Sequence, residues 1–173
     1  MKNIPFFLGS IHQKVNPILK GRQHLDEKYI PMKSGKDHYD LNCIDHKTKY
    51  ITAHLFVEKR TLSKCVEFLT QVKITCYAQI LAQYKREKNK PHEKRKLILF
   101  VSDGFENYYN AWTKLFWKVS KMTHGIPIKS KVAGLEHNNN PIERYNGKIK
   151  DRIKTMRGGF GSFEGAEIFM NMN

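Results

Sequence analysis

Three acidic residues stand where the chain could bring carboxylates together. Asp26 lies in the first strand-like run, Asp103 directly follows an apolar strand-like run, and Glu143 lies in the first turn of the last clear helix. Neighbouring strands lie about 4.8 Å apart and ligand crevices form beyond their ends, so the first two acids can converge. Mg²⁺ prefers carboxylate oxygens, and two such ions about 3.5–4 Å apart can stabilise both the attacking and the leaving oxygen at a phosphodiester. Metal-dependent phosphodiester cleavage is therefore the chemistry that these residue types could support.

Each acid also has a plainer interpretation. Asp26 could be a surface acid at the start of a strand, and Asp103 could be the first residue of an Asp-Gly turn. Glu143 could be the partner of Asn140 in a capping box. Glu136, in the loop before the last helix, could take the place of Glu143 if the register differs. Taken one acid at a time, residue type and spacing leave these alternatives open.

The elements that must position these acids begin with three strand-like runs, at residues 25–32, 38–44 and 50–57. In each run apolar and polar residues alternate or β-branched and aromatic residues dominate, which is typical of strands. Short turn-like segments separate the runs. They are too short for crossovers, so we expect an antiparallel meander.

After the meander the apolar period changes from 2 to 3.6, which predicts a helix begun by Thr61 or Ser63 and ending near Tyr84. The unbroken apolar run at residues 97–101 predicts a strand buried on both faces in a parallel region. The remaining expectations are a helix at 105–117, a loop with a short strand at 131–135, and a last helix that Asn140-Pro141 opens and Gly158-Gly159 closes. This order predicts an α/β domain, a mixed sheet covered by helices.

Composition indicates one domain with a polyanionic partner. The chain has 173 residues, of which 40% are hydrophobic, and 31 Lys and Arg against 16 Asp and Glu give a net charge of +15. The densest basic run, residues 85–96, holds seven bases and two acids, so it contributes 7 − 2 = +5 and leaves +10 for the rest. A basic surface spread in this way favours nucleic acid as partner, although charge alone does not separate DNA from RNA or from an anionic membrane.

Cysteine usage and hydropathy indicate where the protein works. Cys43, Cys65 and Cys76 show no C-x-x-C spacing and no paired histidines, so we expect neither a disulfide framework nor a zinc site, and a reducing compartment fits best. The apolar segment at residues 4–11 contains Pro5 and lacks a cleavage site, and no run reaches membrane-spanning length. We therefore expect a soluble, intracellular protein.

Three segments resemble one family of DNA-processing enzymes. The opening pattern is Asp26-Glu27-x-Tyr29, then a strand ending in Asp45, then Thr48 and a third strand. The second is Ser102-Asp103-Gly104 followed by Tyr108 or Tyr109. The third, and the most specific, is Asn139-Asn140-Pro141-Ile142-Glu143-Arg144, Lys148-Ile149-Lys150-x-Arg152, Met156, Gly159-Phe160, Ser162-Phe163 and Ala166. Together they resemble DDE transposases, best the insertion sequence six family and its archaeal relatives, over about residues 25–168.

The resemblance implies a ribonuclease-H-like fold: a mixed five-stranded sheet, with a three-stranded antiparallel meander plus parallel strands, flanked by helices. It implies that Asp26, Asp103 and Glu143 form a catalytic triad holding two Mg²⁺ or Mn²⁺ ions. Residues 25–173 would be the catalytic domain, and residues 1–24 a lead segment or remnant of an N-terminal DNA-binding module. The implied activity is cleavage at transposon ends and strand transfer into target DNA, by a homodimer or larger assembly in the cytoplasm, associated with the nucleoid.

Two departures from the family pattern carry expectations of their own. The 40-residue step from Asp103 to Glu143 is longer than in the family and indicates a loop insertion. The short segment before Asp26 lacks room for a helix-turn-helix module and indicates a truncated copy or a trimmed domain. A ribonuclease-H-like nuclease without strand transfer, and an inactive remnant that only binds DNA, therefore remain alternatives.

The last helix adds a geometric argument. At about 100° per residue its apolar side chains form one seam, while Glu143, Lys150 and Lys154 share another face. We therefore expect the two lysines beside the metal carboxylate, at phosphates flanking the reacting one. A third face could touch duplex further out or be a solvated surface; it carries Arg144, Lys148 and Arg152.

Five other residues have interpretations that the structure can test. Asp45 is expected to cap the turn between the second and third strands, and His24 to be a strand residue rather than part of the site. The aromatic residues at helical spacing are expected to be core rather than base-stacking platforms; they are Trp112, Phe116 and Trp117.

Overall fold

The structure, a computed structural model, describes residues 18–36, 38–124, 140–155 and 159–171. The strands in these ranges are β1 (Gln23–Ile30), β2 (His38–Asp45), β3 (Ile51–Val57), β4 (Leu99–Ser102) and β5 (Lys121–His124). The helices are α1 (Leu62–Glu87), α2 (Glu106–Leu115), α3 (Asn140–Lys154) and α4 (Phe163–Asn171).

The five strands form one mixed sheet in the order β3-β2-β1-β4-β5. The strands β1, β2 and β3 are the predicted antiparallel meander, and β4 and β5 extend the sheet in parallel. The predicted ribonuclease-H-like arrangement is therefore confirmed. Because His24 pairs with Val101, the residues that follow β4 lie beside the middle of β1.

Helices cover both faces of the sheet. On one face, which we call the α1–α2 face, Leu25 and Phe100 pack with helix residues such as Phe68 and Tyr108 in the larger apolar core. On the opposite, α3–α4 face a second cluster brings strand and helix residues together; it contains Ile30, Phe56, Ile149, Ile153, Phe160, Ala166 and Met170. Alternation along β1 therefore sends Glu27 to the first face and Asp26 to the second.

Helix α1 begins as the sequence predicts and runs further. The Thr61 side chain accepts a hydrogen bond from the Lys64 backbone N–H at 3.3 Å, which caps the first turn. Its buried apolar residues follow the 3.6-residue period that the sequence predicts; they are Cys65, Phe68, Leu69, Val72, Cys76 and Ile80. The helix continues past the predicted end near Tyr84 to Glu87, so the first residues of the basic run are helical rather than loop.

Asp45 ties the end of β2 to its surroundings. One carboxylate oxygen accepts from the Lys47 and Thr48 backbone N–H groups at 3.0 and 2.9 Å, which confirms that Asp45 caps the β2–β3 turn. The other accepts from the Gly21 backbone at 3.0 Å and from Gln23 Nε2 at 2.8 Å. Burial tends to raise the pKa of Asp45, but these backbone donors outweigh it and lower the pKa below its usual value.

Two elements differ from the sequence expectation. Strand β5 occupies Lys121–His124, mostly within a stretch expected to be loop, and helix α4 was not expected at all. The strand expected at residues 131–135, together with Glu136, lies outside the described residues. A four-residue strand of mixed polarity carries little periodic signal, which explains why the pattern did not reveal β5.

The three aromatic residues that the sequence predicts to be core differ in burial. Trp112 and Phe116 are buried in the larger core, as predicted, and Trp112 Nε1 donates to Ser120 Oγ at 2.8 Å. The prediction is wrong for Trp117, whose surface is 58% exposed. The helix ends at Leu115, so Trp117 no longer follows the helical stripe. His24 is a fully buried residue of β1, as expected.

A close backbone contact joins the start of α4 to the end of β1. Gly159 has φ 82°, and a Cβ atom there would lie 2.3 Å from the Pro31 carbonyl oxygen. Only glycine meets both conditions. The contact lets Phe160 pair with Met32, and the Lys33 N–H donates to the Phe160 carbonyl at 2.9 Å.

The described residues contain no helix that is both long and apolar enough to cross a membrane.

Cys43, Cys65 and Cys76 are all buried, and none of them forms a disulfide. The thiols therefore belong to the apolar core.

Candidate metal centre

Two of the three predicted acids meet at one edge of the sheet. Asp26 lies within β1, and Asp103 directly follows β4, the parallel neighbour of β1. Glu27 joins them, and the three residues offer carboxylate oxygens that all lie within 4.8 Å of one another. We call Asp26, Glu27 and Asp103 the acidic cluster.

Glu27 reaches the cluster although it points to the opposite face of the sheet from Asp26. Asp103 lies beyond the end of its strand, where side chains from both faces can approach it. The Arg60 guanidinium forms an ion pair with Glu27 and lies between two aromatic rings, 4.7 Å from the Tyr39 centroid and 4.8 Å from that of Phe105. This sandwich restricts Arg60 and so fixes the Glu27 carboxylate at the edge of the cluster.

The plainer interpretation of Asp103 also applies. The Phe105 backbone N–H donates to Asp103 Oδ1 at 3.1 Å, and Gly104 has φ 104°, so Asp103 does begin an Asp-Gly turn. The turn leaves the Asp103 side chain exposed at the mouth of the cluster. A structural role in the turn and a role in the cluster are therefore compatible.

Electrostatics make the cluster a place for a cation. Burial, followed by the charges of Glu27 and Asp103, raises the pKa of Asp26 to about 7. Burial and the charge of Asp103 also raise the pKa of Glu27, against the opposing influence of Arg60. Carboxylates whose pKa is raised by burial and then by mutual repulsion are stabilised in their charged form by a nearby positive charge, and oxygen donors suit Mg²⁺ or Mn²⁺. The residues present therefore fit a divalent metal.

Helix α3 contacts the cluster through Asn146. Its Nδ2 donates to Asp26 Oδ2 at 2.9 Å, and the Asn146 side chain is buried. Glu143 lies one helical turn earlier, so its Cβ atom is about 5–6 Å from that of Asn146. Glu143 is exposed, and within the described ranges its carboxylate is not part of the acidic cluster.

The predicted basic residues all lie on this helix. Burial and then the charge of Lys150 lower the pKa of Lys28 on β1, whereas the charges of Asp26 and Asp151 raise it. Lys28 and Lys150 are therefore close enough to interact electrostatically. Lys154 is exposed and pairs with Asp151 at 3.1 Å. The other three predicted DNA contacts are exposed on α3; they are Arg144, Lys148 and Arg152.

Sequence reasoning missed four residues of the site: Glu27, Lys28, Arg60 and Asn146. Glu27 and Lys28 follow Asp26 directly, so adjacency was an available signal, but strand alternation argues against a neighbour sharing the site. Asn146 lies three residues after Glu143, a spacing that places it on the same side of the helix. No local pattern singles out Arg60, because its partners come from three other parts of the chain.

A buried polar layer continues from the cluster across the α3–α4 face. Asn42, the cross-strand neighbour of Asp26, donates through Nδ2 to Asp40 Oδ2 at 2.8 Å. His54 places its ring nitrogens 3.3 Å from Asp40 Oδ1 and 2.7 Å from Asn171 Oδ1. Burial lowers the pKa of His54, but the hydrogen bond and charge of Asp40, with Asn171, outweigh it and raise the pKa above 6.5.

Comparisons with known proteins support the fold. No protein-family model and no curated protein sequence matches the chain. A chain in the cryo-electron microscopy structure of the simian T-cell lymphotropic virus intasome in complex with PP2A regulatory subunit B56 gamma is similar, with a TM-score of 0.51 and 13% identity over 91% of this chain. The Mos1 transposase catalytic domain, determined with raltegravir and Mn, aligns with a TM-score of 0.48 and 12% identity over 99% of this chain and 78% of its own. The chain spans 49% of the intasome chain, and that likeness is one of fold.

Proposed function

We propose that this protein is a DNA transposase that cleaves DNA at transposon ends and transfers the freed strand to target DNA. The observation that carries the proposal is the convergence of Asp26, Glu27 and Asp103, with carboxylate oxygens within 4.8 Å of one another at the edge of a ribonuclease-H-like sheet. The basic residues around α3, the net charge of +15 and the fold shared with a chain of a viral intasome support a DNA substrate.

In this proposal Asp26 and Asp103 would hold the divalent metal, and Glu143 on α3, whose carboxylate lies outside the acidic cluster, would complete the ligand set. Two bound Mg²⁺ or Mn²⁺ ions would supply Lewis-acid stabilisation of charge on the phosphate oxygens. Asn146 orients the Asp26 carboxylate through its hydrogen bond, and Arg60 holds Glu27. Lys150 and Lys154 would neutralise flanking phosphates, with Arg144, Lys148 and Arg152 contacting duplex further out.

The chemistry has two displacements at the same site. Water attacks the phosphorus at the transposon end, and the bond to the 3′-oxygen breaks, which leaves a 3′-hydroxyl. That hydroxyl then attacks a target phosphodiester, and the target 3′-oxygen leaves. No covalent bond to the protein forms in either step.

The test is cleavage and strand transfer by the purified chain with Mn²⁺, using labelled oligonucleotides from the DNA that flanks the gene and a supercoiled plasmid as target. Asp26→Ala, Asp103→Ala and Glu143→Ala should each abolish both products while circular dichroism and salt-sensitive DNA binding stay unchanged. Asp151→Ala, which removes an exposed acid from the same helix, is the matched control and should retain activity.

The variants also decide between the proposal and its alternatives. Cleavage without plasmid joining would indicate a nuclease, and binding without any cleavage would indicate an inactive remnant. Retained cutting by Glu143→Ala together with loss in Glu27→Gln would move the third carboxylate from Glu143 to Glu27.

A further inference from the structure

A cavity of about 670 Å³ opens beside the acidic cluster at the same edge of the sheet. Its described lining comes from the β1–β2 connection, the start of β2, the segment between β3 and α1, and the residues around the start of α2. It includes Lys36, Tyr39, Lys59, Arg60, Phe105 and Asn107. We call it the aromatic cavity. Its volume lies within the roughly 300–1,000 Å³ of ordinary small-ligand sites.

The cavity adjoins the cluster through a single side chain. Arg60 lines the cavity, and its guanidinium pairs with Glu27 of the acidic cluster. Asn107 holds the Arg60 backbone in place by donating from Nδ2 to its carbonyl oxygen at 3.0 Å. Phe105 follows Asp103 by two residues, so the wall of the cavity and the mouth of the cluster belong to one turn.

The lining suits a nucleotide. Tyr39 and Phe105 supply aromatic surface, and neither ring is fully buried. Lys36 and Lys59 are exposed at the rim, and within the described part of the chain neither ammonium group has an ion-pair partner. With Arg60 and the one acid of the described lining, Glu58, the formal charge is 3 − 1 = +2. Aromatic surface with cations at the rim is the combination that binds single-stranded nucleic acid.

We propose that the aromatic cavity binds the nucleotide next to the reacting phosphate, with its base among Tyr39, Phe105 and Arg60 and its phosphate at Lys36 and Lys59. This inference rests on the proposed function, because it assumes that the reacting phosphate lies over the acidic cluster. Successive nucleotides of one DNA strand are about 3.4 Å apart along a duplex, so a neighbour of that phosphate reaches a cavity one side chain away. The base must leave the stack to enter, so a single-stranded or frayed end should bind better than closed duplex.

Photo-cross-linking tests the location. The whole chain is mixed, in Ca²⁺ buffer, with single-stranded oligonucleotides that carry one 5-iodouracil at successive positions, and the cross-linked peptides are identified by mass spectrometry. We expect cross-links to Tyr39 or Phe105 from one position, next to the phosphate that is cut when Mn²⁺ replaces Ca²⁺. Cross-links that reach these residues equally from every position, or from none, would overturn the inference.

Charge reversal tests the binding of phosphate by the two lysines. Lys36→Glu/Lys59→Glu should weaken binding of a short oligonucleotide at least tenfold, and the slope of log K against log salt should fall by about 0.7 for each phosphate that the variant no longer neutralises. Lys85→Glu/Lys88→Glu makes the same charge change at exposed residues near the far end of α1, about 36 Å from Thr61 by helical rise, and should change binding less than threefold. Equal weakening in the two double variants would show that only net charge matters and would reject the subsite.

The same experiments separate this inference from the proposed function. Cross-linking to Tyr39 or Phe105 from one position without any cleavage would reject the enzymatic proposal but would still show that the aromatic cavity binds a nucleotide of the strand. Cleavage with no cross-link in the cavity would reject the subsite alone. A free mononucleotide that displaces the oligonucleotide at equal concentration would identify a mononucleotide site and overturn the strand subsite.

Discussion

The two faces of the sheet bury different kinds of side chain. The α1–α2 face packs mainly apolar residues such as Leu25, Phe68 and Phe100, each fully buried, into the larger core. The α3–α4 face buries Asp40 and Asn42 among a smaller set of apolar residues. Apolar burial is non-directional, whereas each buried polar group needs a partner in a particular place. The first face therefore supplies most of the stability, and the polar contacts of the second determine where α3 and α4 dock on the sheet.

The polar layer is incompletely satisfied. Among the described residues the Asn42 and Asn146 side-chain oxygens are buried without a hydrogen-bond partner. Both residues are neighbours of Asp26, one across the strand pair and one on α3. A folded protein tolerates such groups where function requires them, at the expense of stability. We therefore expect that removing the buried Asp26 charge on the α3–α4 face stabilises the fold, whereas truncating a core residue on the α1–α2 face destabilises it.

The largest expected change in stability is on the α1–α2 face. Phe68→Ala should lower the free energy of unfolding by about 3–5 kcal/mol, because it removes a fully buried ring from the apolar stripe of α1. Urea denaturation followed by circular dichroism measures the change. Ile74→Ala on the same helix, where the side chain is 70% exposed, should stay within about 0.5 kcal/mol. A decrease below about 1 kcal/mol for Phe68→Ala would contradict the assignment of the main core to this face.

On the α3–α4 face we expect one substitution to raise, rather than lower, the free energy of unfolding. The pKa of Asp26 is raised from 3.8 to about 7, so its contribution to stability is fully present below pH 3.8 and is lost as pH rises through about 7. Asp26→Asn removes the buried charge and should therefore raise the free energy of unfolding at pH 8, without divalent metal, by on the order of 2 kcal/mol. The gain should shrink towards pH 5 in urea titrations at the two pH values.

Asp151→Asn is the matched control, because Asp151 is an exposed acid on α3 whose ion pair within the described ranges is with the equally exposed Lys154. It should change stability by less than about 0.5 kcal/mol at either pH. Mn²⁺ should stabilise the wild type more at pH 8 than at pH 6 and should have little effect on Asp26→Asn. A destabilised Asp26→Asn at pH 8 would show that the carboxylate is structural.

The smallest effect is expected at the far end of the polar layer. His54 has a pKa above 6.5 in the folded protein, so its ion pair with Asp40 contributes stability below pH 6.5 that is lost as pH rises through the higher folded value. His54→Gln should cost about 1 kcal/mol more at pH 5.5 than at pH 8.5, measured by thermal unfolding. The exposed His92→Gln should show no such dependence. A cost that grows with pH would reject a charged His54.

Much of the fold could be predicted because its elements have strong periodicity. The alternation around Tyr39 and Leu41, the 3.6-residue stripe of α1 and the apolar run before Asp103 each identify an element correctly. Strand β5 could not be predicted, because Lys121–His124 has four residues, none of them fully buried. Helix α4 follows the Gly158-Gly159 pair, which is expected to close the last clear helix, and its short apolar pattern gives only a weak signal.

For the site, sequence reasoning places Asp26 and Asp103 in the same region, because parallel strands end at one edge of a sheet. It does not find Glu27, because adjacent residues of a strand point to opposite faces of the sheet. The Asp26 and Glu27 carboxylates both reach Asp103 only because Asp103 lies beyond the end of β4. It does not find Arg60 either, because a cation held between Tyr39 and Phe105 depends on three separate parts of the chain. Contacts between residues from separate parts of the folded chain have no characteristic spacing in the sequence.

Gly159 is far from the acidic cluster in sequence, yet its backbone contact helps to position the strand that carries two of the three clustered acids. The backbone there lies against Pro31, which follows directly from the strand that carries Asp26 and Glu27. Any side chain at residue 159 would force the two segments apart and shift the tail of that strand. If the protein has the proposed activity, a random mutagenesis screen should therefore find inactivating changes at this glycine, although it lies outside the acidic cluster.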